Sequence, residues 1–168
     1  GLVEGVRSPR HGQGALSELL LENFAGLIRA LLGLPAMPLY PNGATWAVAV
    51  SSDIDVLTDD HLPAVLRFLN ERKVDRPTFF ICPPTKEERT IRDPEYDFSD
   101  PSAQALLEPL RTANVEIGLH GSYLAHDRIE WLTAQKQRIE NWSGRPVVGH
   151  RAHFYRFAYP RSWAWQHR

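Results

Sequence analysis

The sequence predicts an α/β fold of barrel-like (β/α) winding behind an N-terminal helix, and three observations carry that expectation. From Trp46 onward, short apolar runs alternate with helical stretches, as parallel strands joined by crossover helices do. The runs are mostly apolar throughout, which suits strands covered on both faces. Acidic, basic and imidazole side chains gather just after those runs, where barrels of this kind carry their chemistry.

The opening of the chain is different in character. Leu16, Leu19, Leu20, Phe24, Leu27, Ile28, Leu31 and Leu32 recur at helical spacing and predict one amphipathic helix. Pro35, Pro38, Pro41 and the Asn42-Gly43 pair then break regular structure. Residues 1–44 are therefore expected to form a helix and Pro-rich linker, and residues 45–168 the domain proper. Between Ala15 and Leu34 the apolar stretch is interrupted by Glu18, Glu22, Asn23 and Arg29, so no membrane span is expected. The chain opens on Gly1 without a signal-peptide pattern, which favours a start inside a longer protein. Nothing in the sequence fixes a compartment.

Within the domain, strands are expected at Trp46–Val50, Thr78–Ile81, Val115–Leu119 and Pro146–Val148. Helices are expected at about Asp59–Arg72, Ser102–Ala113 and Arg128–Trp142, with Thr58 or Asp59 as the first cap and Gly144 as the last stop. Residues 93–101, rich in Asp and Pro, read as a long loop, and the acidic group Asp93, Glu95, Tyr96 and Asp97 as its solvated surface. A barrel of eight units takes roughly 250 residues and about four units are visible, so the barrel is expected to be incomplete. A half-barrel leaves strand edges and a core face open, so self-association of such a piece is expected.

Composition narrows the chemistry. With 43% hydrophobic and 23% charged residues among 168, the chain can bury a sizeable core. Nineteen basic against twenty acidic residues leave a net charge of -1, which gives no chain-wide attraction to nucleic acid. The tail from Arg145 to Arg168 interleaves five arginines and three histidines with Phe154, Tyr155, Phe157, Tyr159, Trp163 and Trp165. Such a mixture can stack on single strands, but packing against the remainder of a barrel is the stronger expectation, so no nucleic-acid partner is assigned. The single cysteine, Cys82, excludes an internal disulfide and a cysteine zinc cluster, and is expected to be buried and inert. A bound metal must then be held by His, Asp or Glu. Ser51 and Ser52 lack the Gly-x-Ser-x-Gly context of a serine nucleophile.

The residues after the apolar runs form a pattern. The first run is followed by Asp53 and Asp55, the third by His120, and the fourth by Arg151 and His153. In extended chain, residues two apart share a face, so Asp53 and Asp55 point to one side of their strand, and Arg151 and His153 share one face of theirs. One carboxylate can bind a divalent cation while the other takes a proton from water; a guanidinium can partner the free carboxylate, and an imidazole can join the metal.

These residues resemble the polysaccharide deacetylase family, or NodB-homology domain, over about Trp46 to Trp165. Val48-Ala-Val-Ser-Ser-Asp-Ile-Asp55 is similar to its strand ending in two aspartates, and Pro77-Thr-Phe-Phe-Ile81 to its Thr-Phe-Phe strand. Asn114-Val-Glu-Ile-Gly-Leu-His120 resembles its histidine strand, and Ser143-Gly-Arg-Pro-Val-Val-Gly-His-Arg151 its Gly-x-Pro turn and arginine strand. The resemblance implies a distorted barrel, with Asp53 as catalytic base, Arg151 orienting it, and Asp55 and His120 as metal ligands. It also implies removal of acetyl groups from an N-acetylated carbohydrate by metal-activated water, usually on zinc. Where the family has its second histidine stands Leu124, with His126 two residues on. The third ligand is assigned to His153, which shares a strand face with Arg151, and His126 is the competing candidate. The alternative to an enzyme is a non-catalytic carbohydrate-binding or scaffold domain of the same fold.

Overall fold

Parallel strands must be joined by connections long enough to return the chain to the same edge, and the sequence supplies a helix for each. A computed structural model of the chain describes residues 24, 26–33, 40, 44, 46–147, 149–158 and 160–162. Its chain divides into two compact units, Gly1–Val48 and Ala49–Arg168. In the first, Phe24 and residues 26–31 are helical, inside the expected amphipathic helix. Leu16, Leu19 and Leu20 of that helix lie outside the described residues, as do Tyr159, Trp163 and Trp165 of the tail.

The second unit runs β1 (Ser51–Ile54), α1 (His61–Glu71), β2 (Thr78–Ile81), α2 (Pro101–Thr112), β3 (Glu116–Gly121), α3 (Ile129–Ser143) and β4 (His150–Ala152). All pairings are parallel and the strands lie in the order β1-β2-β3-β4. The expected α/β class is therefore present, as an open sheet of four described strands alternating with helices. Since sequential strands are neighbours and crossovers are right-handed, the helices fall on one side of the sheet. There Ile54, Phe79, Ile81, Ile117 and Leu119 of the strands join Leu62, Leu107, Leu110, Leu132 and Ile139 of the helices in one buried cluster. Each such side chain contributes about 1.5–3 kcal/mol on full burial. The alternate residues Ser51, Asp53, Thr78, Phe80, Glu116, Gly118, His120 and Arg151 share the opposite face, as period two and the register require.

Two strands sit about four residues later than expected. The apolar run Trp46–Val50 is not strand; Trp46 and Val48 are 70% exposed, and β1 starts at Ser51. The reason lies in the partner: the first ladder bond runs from the Thr78 N–H to the Val50 carbonyl, and Pro77 before it has no N–H to donate. Likewise Pro146 and Val147 precede the last strand, which is His150–Ala152, while Val148 lies outside the described residues. That ladder opens with Leu119 N–H on the Gly149 carbonyl, so pairing with β3 decides where it begins.

Helix ends follow local chemistry. Asp100 caps α2, its carboxylate accepting from the Ser102 N–H at 2.9 Å, with Pro101 in the first turn where no partner is needed. Gly144 stops α3 in the left-handed conformation at φ 69°, as expected. At α1 the expected cap is corrected: Asp60 occupies that position without a side-chain hydrogen bond, and the His61 N–H donates to the Thr58 carbonyl instead. No described helix is long and apolar enough to cross a membrane.

The loop after β2 is also corrected. It is pinned and partly buried, not a solvated surface: Asp93 and Phe98 are buried, and Phe98 packs edge-on against Trp142. The Tyr96 hydroxyl reaches the carbonyls of Ile54 at 2.9 Å and Cys82 at 2.7 Å. Burial raises the phenol well above its ordinary pKa, so it keeps the proton it donates.

Candidate metal centre

The polar face gathers its charges at the C-terminal ends of β1, β3 and β4. Register sets Asp53 beside Phe80, Phe80 beside Gly118, and His120 beside Arg151, so side chains from distant parts of the sequence share one face. Gly118 makes that possible: a Cβ there would lie 2.6 Å from the Phe80 ring. The ring occupies that space, and the Arg151 guanidinium rests over it at 4.1 Å from the centroid.

From that seat Arg151 donates to Asp53 Oδ1 at 2.6 Å and to Ser51 Oγ at 2.8 Å. Asp53 is thereby charge-paired and oriented, with its other oxygen 4.0 Å from His120 Nε2. His120 is 2% exposed, and its Nδ1 lies 2.9 Å from the Arg151 carbonyl oxygen. A carbonyl only accepts, so Nδ1 carries the proton and Nε2 offers a lone pair. Burial holds this imidazole below its ordinary pKa, outweighing the hydrogen bond and nearby carboxylates that favour charge, so the neutral, donor-ready form prevails at neutral pH.

Asp55 follows β1 and is half exposed. Its Oδ1 lies 3.7 Å from His120 Nε2 and 3.8 Å from His153 Nε2, and the two rings meet edge to face at 4.6 Å between centroids. Asp55, His120 and His153 thus form a group whose donor atoms all lie within 4.8 Å of one another. Ligands about 2 Å from one ion stand roughly 3.3 Å apart in a tetrahedron, so only a small contraction separates this set from a metal shell. The donor chemistry fits too: two imidazole nitrogens facing a carboxylate suit zinc and its neighbours. An open pocket of about 160 Å³ lies over the group, lined by Asp53, Asp55, His120, Arg151 and His153 with Phe154 and Tyr155 at its rim.

The structure thus brings together five of the residues singled out from sequence: Asp53, Asp55, His120, Arg151 and His153. His126 is not among them. It sits in a 3-10 turn at Ala125–Asp127, its Nδ1 4.0 Å from Asp127, and belongs to no ion-holding group among the described residues. The expectation for Cys82 holds structurally, since it is free and 0% exposed. Burial, then the nearby carboxylates of Asp93 and Asp55, raise its thiol well above the ordinary value, so it stays protonated.

Sequence reasoning placed Asp93 on a solvated loop and missed its place beside His153. Burial alone would raise its pKa, but hydrogen bonds from His153, the Tyr123 N–H and Thr90 outweigh that and hold it below the ordinary carboxylate value. Its partners come from two other segments, so only the short Thr90-x-x-Asp93 spacing was available as a local signal, and that pattern is common in turns.

Fold and site together define the class: an α/β chain with a parallel sheet and an Asp/His group able to hold a metal ion. No family model matches the chain, and no curated protein or solved structure does either.

Proposed function

We propose that this chain carries the metal-binding half of a carbohydrate deacetylase, a hydrolase that removes acetyl groups from N-acetylated sugars. The observation that carries the reading is the division of labour between two neighbouring aspartates. Asp53 is bound by Arg151 at 2.6 Å, whereas Asp55 faces two imidazole nitrogens. A base and a ligand are thus held apart on one strand end. Sequential strand order with helices on one side supports a barrel wall as the architecture.

In this reading Asp55, His120 and His153 hold a divalent cation, with zinc the first choice. When bound, the cation supplies Lewis acidity, polarising the acyl carbonyl and bringing the pKa of water to about 7. Asp53 accepts the proton that water gives up as it attacks the acyl carbon, and the proton passes to the amine nitrogen as the C–N bond breaks. Arg151 keeps the Asp53 carboxylate aimed, and Ser51 in turn holds the far nitrogen of Arg151. The pocket of about 160 Å³ has room for an acetyl group, with the sugar ring lying across its mouth.

Metal analysis of zinc-loaded protein tests the assignment. Wild type should hold zinc, and Asp55→Ala and His120→Ala should each lose it; unchanged zinc content in both variants would sink the proposal. A full-length homologue carrying the same site should, when loaded, deacetylate an acetylated chito-oligosaccharide. Binding of that sugar without turnover would support a non-catalytic carbohydrate-binding domain instead.

A further inference from the structure

We infer that Asp93 is a positioning residue: it accepts the Nδ1 proton of His153 and so fixes the ring in the tautomer that turns Nε2 toward Asp55. The consequence for an ion rests on the reading above; the geometry does not.

The Asp93 side chain is fully buried, and its acceptors are committed by neighbours other than His153. Oδ2 receives the Thr90 N–H at 2.8 Å and the Thr90 hydroxyl at 2.7 Å. Oδ1 receives the Tyr123 N–H at 2.6 Å. Those three bonds hold the carboxylate whatever the histidine does, so the ring must adapt to the carboxylate. His153 Nδ1 lies 3.4 Å from Oδ1, at the long end for a hydrogen bond but directed at a full charge. With three donors already on the carboxylate, an acceptor nitrogen there would face only lone pairs. The nitrogen must donate, and Nε2 is left unprotonated, 3.8 Å from Asp55 Oδ1.

The same solution is built twice by different means. His120 gives its Nδ1 proton to a backbone carbonyl and His153 to a buried carboxylate, and both present Nε2 to the same oxygen of Asp55. Such outer partners of metal-binding histidines set ring orientation and raise ligand basicity. The geometry also decides between two ion groupings that share His153. Cys82, Asp93 and His153 lie close enough to hold an ion, but doing so would strip the proton from His153 Nδ1 and the thiol proton from Cys82.

Nitrogen-15 NMR of histidine-labelled, metal-free protein at about pH 8, above the ordinary imidazole range, reads the tautomer directly. The expected result is the proton of His153 on Nδ1 in wild type. A proton on Nε2 overturns the inference, and that measurement needs no variant to fold. Zinc affinity gives the second readout: Asp93→Asn should weaken binding about 10- to 100-fold. Asp93→Asn combined with His153→Ala should bind zinc no more weakly than His153→Ala alone, because Asp93 acts through that ring. Losses that simply add would overturn the inference. Should wild type bind no zinc while His153 carries its proton on Nδ1, the metal reading fails and the positioning role stands.

Discussion

The two faces of the sheet are made by the same four strands and do opposite work. On the helix side, Ile54, Phe79, Ile81, Ile117 and Leu119 are apolar, at most 4% exposed, and joined in one core. On the other stand the polar side chains of Asp53, His120 and Arg151, and one position has no side chain at all, Gly118. Adjacent residues such as Asp53 and Ile54 therefore belong to different problems. Period two lets a strand separate stability from chemistry at single-residue resolution.

That separation can be broken by experiment. Phe79→Ala, on the helix side, should cost about 3–5 kcal/mol in denaturant unfolding while the folded fraction keeps its zinc affinity. Loss of zinc binding without loss of stability would mean that the faces are coupled. Asp53→Asn should do the reverse, keeping zinc content and unfolding midpoint, while the matching change in a full-length homologue lowers turnover of an acetylated chito-oligosaccharide by roughly 100-fold or more. Full activity in that variant would remove Asp53 from the mechanism. Gly118→Ala sharpens the comparison, because it tests a packing residue on the chemical face. A methyl 2.6 Å from the Phe80 ring must push that ring, and with it the seat of Arg151. The expected cost is about 1–3 kcal/mol, together with a fall in turnover; a change in neither would show that the ring can move away freely.

How much of this was legible in sequence follows from how local each signal is. The three helices were readable within a residue or two, because helical periodicity and caps such as Gly144 are written in neighbouring residues. β2 was placed correctly, but β1 and β4 were placed about four residues early. Hydrophobicity marks where a chain is apolar, whereas a strand starts where a partner offers hydrogen bonds, here at Val50 and Gly149. Asp53 and Arg151 consequently lie within strands, not after them; alternation gave each its face despite the shift, while their pairing with one another was what the family resemblance implied. Choosing His153 over His126 rested on a strand face shared with Arg151; the ring does stand beside Asp55, but His153 opens a 3-10 turn after β4 and is not part of the strand. Asp93 was read as solvated surface for the opposite reason. Its burial depends on Tyr123 and His153, which no local pattern brings near it.

The loop between β2 and α2 works as a caliper. At one end Asp93 grips the ring of His153; three residues on, the Tyr96 phenol spans the carbonyls of Cys82 and of Ile54, the residue before Asp55. Between the two grips sits Pro94, whose ring removes a backbone rotation. The gap between Asp55 and His153 is therefore gauged by a short, stiff stretch of chain that supplies neither of them. A substitution such as Tyr96→Phe touches no residue of the pocket's donor group, yet it would loosen one jaw and let that gap wander.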